Sequence, residues 1–398
     1  MPYDFDQLID RRSTNSYKWD IDEYGLPMWV ADMDFETAPV VTKAIEKRVK
    51  QNAFGYSVVT DSFKKSIMSW WERRHDWIIN KEWILFCTGA VPAISSIVRK
   101  MTSTHENIVV LSPVYNIFYN SIFNNNRKVL TSDLNYSHGI YTINFDDLEE
   151  KLSNPMTSMF IFCNPHNPIG KVWDKETLKR VGELCVKYQV ILISDELHCD
   201  LTHPEYTYTP MASISQEISS QTVTLVSASK AFNLAGLQSS AIIISNEEFK
   251  KRIERGINTD EIAEPNAFAI QATEAAFNKG ETWLNALNLY LESNRQYLIE
   301  TLEILAPEIK LIPSEATYLA WLDCSLLSED AELLCYYIRN KTGLYLSEGK
   351  IFGKNGKSFI RLNYACPRQH LTSGIQRFVD GISLFKQEKQ NIEEGIFK

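Results

Sequence analysis

The residues of this chain that could do chemistry stand just after apolar runs. Lys230 follows the run at 223–226 and sits behind Ser227, Ala228 and Ser229 in "TLVSASKAFNLAGLQSS" (224–240). An amine beside small hydroxyl residues at the mouth of an apolar segment has two readings. Either a strand has met solvent, or a nucleophile is kept next to a bound phosphate. After the run at 159–163 comes "CNPHNPIGK", with Asn164, His166 and Asn167 set between prolines, and after 190–194 comes "SDELHCD", with Asp195, Glu196 and His198. "CTGAVPAISSIV" places a turn at Gly89 ahead of a predicted helix, whose first N–H groups could hold an anion. Taken singly these signals are weak, because Asn-Pro marks turns and an Asp at a strand end often caps a helix. Together they put an acid, an amide, an amine and an anion cradle on adjoining strand ends, where open α/β sheets bind ligands.

The elements that must position them alternate strand and helix. "NIVVLSP", "SMFIFCNP", "VILISDE", "TVTLVSAS" and "SAIIIS" are near-continuously apolar, as strands covered on both faces are. Between the second and third, Leu178, Val181, Cys185 and Tyr188 recur at helical spacing, with Asp174 as the expected N-cap. Strand, helix, strand at this spacing makes a βαβ unit and an at least partly parallel sheet. After about residue 285 the character changes: "ETWLNALNLYLESNRQYLIETLEILA" is a long amphipathic helix, with Leu284, Leu287, Tyr290 and Leu291 on one face, followed by the strand-like "ATYLAWLD" and "KSFIRLNY". The expected fold class is α/β, a large domain over 46–285 and a smaller α+β domain from 1–45 and 286–398.

Composition bounds the partners. The 398 residues carry a net charge of −9, with basic residues spread among acidic ones, which argues against nucleic acid. No run of about 18 apolar residues is present to span a membrane. The start lacks the apolar core of a secretory signal, and seven scattered cysteines without a C-x-x-C pair suggest reduced thiols, so a cytoplasmic location is expected. "HCDLTH" (198–203) does not set two metal ligands on one helical face, and no metal is expected. "GKNGKS" (353–358) lacks the earlier glycine of a nucleotide-binding loop, since Ile351 stands there.

"CNPHNPIG", "SDELH" and "SASKAFNLAGLQ" resemble the pyridoxal-phosphate (PLP) enzymes of the aspartate aminotransferase fold, fold type I. "LPMWVADMDF", "FGYS" and "FIRLNYACPR" narrow the resemblance to the MalY/PatB group of carbon–sulfur lyases, and the similarity runs in matching order over about residues 11–370. The resemblance implies PLP as cofactor and Lys230 as the residue that bonds it and then acts as base. It implies Ser227, Ser229 and the N–H groups of Ala90 and Val91 around the phosphate, Asp195 on the pyridine nitrogen, and Asn167 on the phenolic oxygen with His198 nearby. Tyr115 would stack on the ring, Arg361 would take the substrate carboxylate, and Tyr56 would reach the partner's site in a homodimer. Gln238 stands where many relatives of the fold have a basic residue. The implied reaction is β-elimination from cystathionine, cystine or cysteine; the alternatives are an aminotransferase, or a lyase that also binds a transcription regulator.

Overall fold

Seven strands form the central sheet, and the computed structural model describes residues 3–393. In chain order they are β1 (Ile84–Cys87), β2 (Asn107–Ser112), β3 (Lys128–Asp133), β4 (Thr157–Cys163), β5 (Ile191–Asp195), β6 (Thr222–Val226) and β7 (Ser240–Ile243). Across the sheet the order is β1-β7-β6-β5-β4-β2-β3. The pairs from β6 through β3 are parallel, and β7 runs antiparallel to both of its neighbours.

Alternate side chains leave the two faces of this sheet and enter separate cores. Ile108, Val110, Met159 and Ile161 pack on one side with Ile94 and Ile97, and the intervening Val109, Leu111, Phe160 and Phe162 pack on the other with Leu178 and Val181. Burial on both faces explains why these strands read as unbroken apolar runs. The helix predicted between β4 and β5 is Lys175–Tyr188, and Asp174 caps it by accepting the Thr177 N–H at 2.8 Å. Two strands went unread in the sequence, and they are the two edges. β1 is only four residues long, and β3 is a partly exposed strand beginning and ending on charged residues.

A second, four-stranded antiparallel sheet contains β8 (Lys310–Leu311), β9 (Leu319–Asp323), β10 (Ser347–Glu348) and β11 (Phe359–Asn363), in the order β8-β9-β11-β10. The long helix before it spans Glu281–Leu305 and buries Leu284, Leu287, Tyr290 and Leu291, the predicted face. From that helix Asn294 donates to the carbonyls of Tyr364 and Cys366, fixing the chain just past β11. Leu26–Pro27 pairs in parallel with Leu344–Tyr345, so the N-terminal segment is stitched beside the smaller sheet. The α/β architecture expected from the strand–helix alternation is therefore the one observed.

Candidate active site

The carboxyl ends of β4, β5 and β6 lie side by side, with Cys163 opposite Asp195 and Asp195 opposite Leu225. The polar residues that follow each strand are thereby brought to one place without any long-range search. They open on a cavity of about 250 Å³ whose wall includes Gly89, Ala90, Val91, Tyr115, Asn167, Asp195, His198, Ser229, Lys230 and Gln238. A larger groove of about 1150 Å³, bounded by Tyr17, Trp29 and Glu348, contains no lysine and no strand-end acid of the central sheet.

Lys230 donates from Nζ to the Ala31 carbonyl at 2.8 Å. Burial pushes its amine down to about 8, helped by the Arg361 charge and opposed by Asp32 and Asp195. A lysine so placed is neutral far more often than one in water, which a nucleophile or base requires. Burial also pushes Asp195 up to about 6, with the Leu197 N–H and Lys230 pulling it back. Among the described residues, the Leu197 N–H, at 3.2 Å, is the only hydrogen-bond donor to that carboxylate. A buried acid with so few donors is suited to a cationic partner in the cavity. His198 is held down to about 3 by burial and by the charges of Lys230 and Arg361, so it is neutral, and its Nδ1 has no hydrogen-bond partner among the described residues.

Arg361 comes from β11 of the smaller sheet and is only 6% exposed. Its Nη1 donates to Asn167 Oδ1 at 3.2 Å, its Nη2 donates to the Trp29 carbonyl at 3.0 Å, and its guanidinium lies 4.6 Å from the centroid of the Phe352 ring. Its Nε is buried without a partner among the described residues, leaving a free donor for an anion. Burial lowers its pKa to about 10, so it remains charged at neutral pH.

An anion cradle forms where the helix Ala90–Met101 begins. Gly89 precedes it at φ +154°, a conformation that favours glycine, and the N–H groups of Ala90 and Val91 have no carbonyl one turn back to receive them. Ser229, Ser239, Thr88 and Gln238 complete this wall, which carries no cation besides Lys230. Dipoles and hydroxyls hold a phosphate here more than charge does. The residues thus fit PLP. The cradle suits its phosphate, the donor-poor Asp195 suits a protonated ring nitrogen, and Lys230 is within the same cavity.

Three of the sequence-derived site residues are not in the cavity wall: Ser227, Tyr56, and Arg361, which touches it through Asn167. Ser227 lies behind the cavity wall, donating its hydroxyl to the Ser239 carbonyl at 2.7 Å and accepting the Ser229 N–H at 3.0 Å, so in this chain it shapes the turn that presents Ser229 and Lys230. Tyr56 is fully exposed and does not line the cavity of its own chain. The sequence reading also passed over Tyr318, whose hydroxyl meets the Ala31 carbonyl at 3.1 Å, and Asn363. Asn363 had a signal: it follows Arg361 by two positions, on the same face of one strand. The residues of "HCDLTH" separate. His198 faces the cavity, Cys199 and Asp200 lie with His75, and His203 pairs with Ser314 and Glu292.

The model of the aminotransferase class I and II family matches residues 27–378. In sequence the chain is 39% identical over 386 residues to cystathionine beta-lyase PatB of Bacillus subtilis (strain 168), covering 95% of this chain and 100% of that one. Among solved structures it resembles a PLP-bound putative aminotransferase from Clostridium difficile 630 with a TM-score of 0.93 and 38% identity, over 96% of this chain and 100% of that one. It also resembles cystalysin from Treponema denticola, which contains a pyridoxal 5'-phosphate cofactor, with a TM-score of 0.93 and 31% identity over 96% and 99%.

Proposed function

The chain belongs to the aminotransferase class I and II family, within its MalY/PatB-like group of carbon–sulfur lyases, and from that premise we propose that it cleaves cystathionine or a related thioether amino acid by α,β-elimination. Its cofactor is PLP. The observation that carries the reading is the convergence, in one cavity, of a buried low-pKa lysine, a donor-poor carboxylate and the N-terminus of a helix.

Bound there, PLP supplies an electron sink for the charge left when a proton leaves the substrate Cα. The chain's own residues do the rest. Arg361 pairs with the α-carboxylate through its fork and fixes the Cα–H bond in space. With PLP bound, Asp195 would hold the ring nitrogen protonated, Asn167 would donate to the phenolic oxygen, and Tyr115 would cover the ring face. Lys230, as a neutral amine, takes the proton from Cα. The Cβ–S bond then breaks with the electron pair leaving on sulfur, which gains a proton to become the thiol. Uptake of one water completes the balance and yields pyruvate and ammonia. Cystathionine would give homocysteine.

The large domain, 46–285, would carry the cofactor contacts and the small one, 1–45 and 286–398, would bring Arg361. We assign the assembly as a homodimer. Phe54, Tyr56 and Val58 are 52%, 100% and 74% exposed on an arm without regular structure, and Tyr56 would complete the partner's site. Full activity of Tyr56→Ala, or a monomer on gel filtration, would count against this.

The test is PLP-dependent release of pyruvate from cystathionine, cystine and cysteine. Holoenzyme that binds PLP yet releases no pyruvate from any of them overturns the lyase reading. The similarity to a solved putative aminotransferase favours transamination as the second reading, and conversion of an added 2-keto acid to its amino acid would establish it.

A further inference from the structure

The segment Trp29–Asp34 crosses the site without regular structure, and its carbonyls are taken by side chains from elsewhere in the fold. Trp29 receives Arg361 Nη2 and Ser347 Oγ, both at 3.0 Å. Ala31 receives Lys230 Nζ at 2.8 Å and the Tyr318 hydroxyl at 3.1 Å. Between those contacts the Asp32 N–H donates back to the Val30 carbonyl at 2.9 Å, a tight turn with Ala31 at its centre. Asn363 grips both arms of that turn, its Nδ2 donating to Val30 and to Asp32 at 2.6 Å each. Its Oδ1 accepts the Ala365 N–H at 2.8 Å, so this buried amide is held at three points.

We propose that Asn363 is a positioning residue, which clamps the turn at Ala31 so that the Ala31 carbonyl is aimed at Lys230 Nζ. Arg361 and Asn363 share one face of β11, so a single strand sends both the carboxylate-binding cation and this clamp to the same segment. The clamp matters when the Lys230 amine is free. The Ala31 carbonyl then holds the amine in place, where an unheld lysine would sample its many rotamers.

The inference rests on the reading of Lys230 as the reactive amine. Lys230 is faced by Asp195 and His198 from the end of β5, by Arg361, by Asp32 and by Tyr318, and the Asn363 substitutions below leave all of these in the chain. Full-length protein freed of cofactor is mixed with pyridoxal 5'-phosphate, and the rate of covalent capture is followed by visible absorbance from about pH 6 to about pH 10. An ammonium that loses its carbonyl acceptor is less stable, so Asn363→Ala and Asn363→Ser should move the midpoint of this profile down by about one pH unit. Asn233→Ala supplies the comparison, because Asn233 holds the same segment at Met33 and Phe35 without gripping the Ala31 turn, and its midpoint should stay. Unmoved midpoints in both Asn363 variants, or an equal fall in Asn233→Ala, overturn the assignment. Loss of the fold in both Asn363 variants, read by circular dichroism, overturns it too, since the role would then be structural. Lys230→Ala separates the two levels: covalent capture that persists there refutes the reading of Lys230 and not the clamp.

Discussion

Two buried clusters in this chain each combine a carboxylate, a histidine and a cation, and they differ in how much their polar atoms already hold. Around Asp200 the inventory is full. Its carboxylate accepts from Trp70 Nε1 at 3.0 and 3.1 Å, lies 2.9 Å from His75 Nε2 and pairs with Arg74 at 3.4 Å. Burial alone would raise that carboxyl, but His75, Arg74 and Trp70 outweigh it and hold it below the usual range. Around Lys230 the inventory is short. Among the described residues Asp195 accepts a single N–H and His198 Nδ1 and Arg361 Nε have no partner, and burial drives the acid up and the amine down. A completed cluster ties elements together, whereas an uncompleted one is strain that a ligand relieves.

Substitutions in the two clusters should separate these roles. Lys230→Ala should lower pyruvate release by a factor on the order of 10³ or more and abolish the visible absorbance of bound cofactor, while the denaturation midpoint of the cofactor-free chain stays or rises. Asp200→Ala should do the reverse, costing about 3 kcal/mol in denaturant unfolding because Arg74, His75 and Trp70 lose their common acceptor, with kcat of the folded protein kept. An Asp200 variant that folds normally but is inactive would break the distinction. Arg361→Lys keeps the charge and loses the planar fork, and kcat/KM should fall about a hundredfold, mostly through KM.

The gentlest probe is pH. The Lys230 amine lies at about 8, and only its neutral form can bond an aldehyde. Capture of PLP by the cofactor-free chain should therefore rise about tenfold per unit as pH increases toward that value, then level off. A profile flat from pH 6 upward would mean that the amine is already neutral, and that burial outweighs the Ala31 carbonyl, Asp32 and Asp195 by more than the structure implies.

Much of the site was legible because βαβ order makes it local. Asn167 and Lys230 follow their strands and Asp195 ends its own, so parallel pairing alone brings them together. The edges were harder, since β1 is too short and β3 too exposed to show an unbroken apolar run. Contacts made across the chain left almost no local trace. Nothing near Ala31 announces that its carbonyl takes Lys230, 199 residues away. Ser227 is a further case, since its hydroxyl donates to the Ser239 carbonyl, a contact that no local pattern announces.

A catalyst that liberates thiols works in contact with its own reducing agent and, in air, with the disulfides that thiols become. Every one of the seven cysteines of this chain is buried and unpaired. Burial pushes their thiols up, Cys87 to about 12 and the others likewise upward, so almost no thiolate is present to exchange with an outside disulfide. The folded protein should resist a thiol-reactive dye that labels all seven in denaturant, and it should neither form mixed disulfides with its product nor need reductant to stay active.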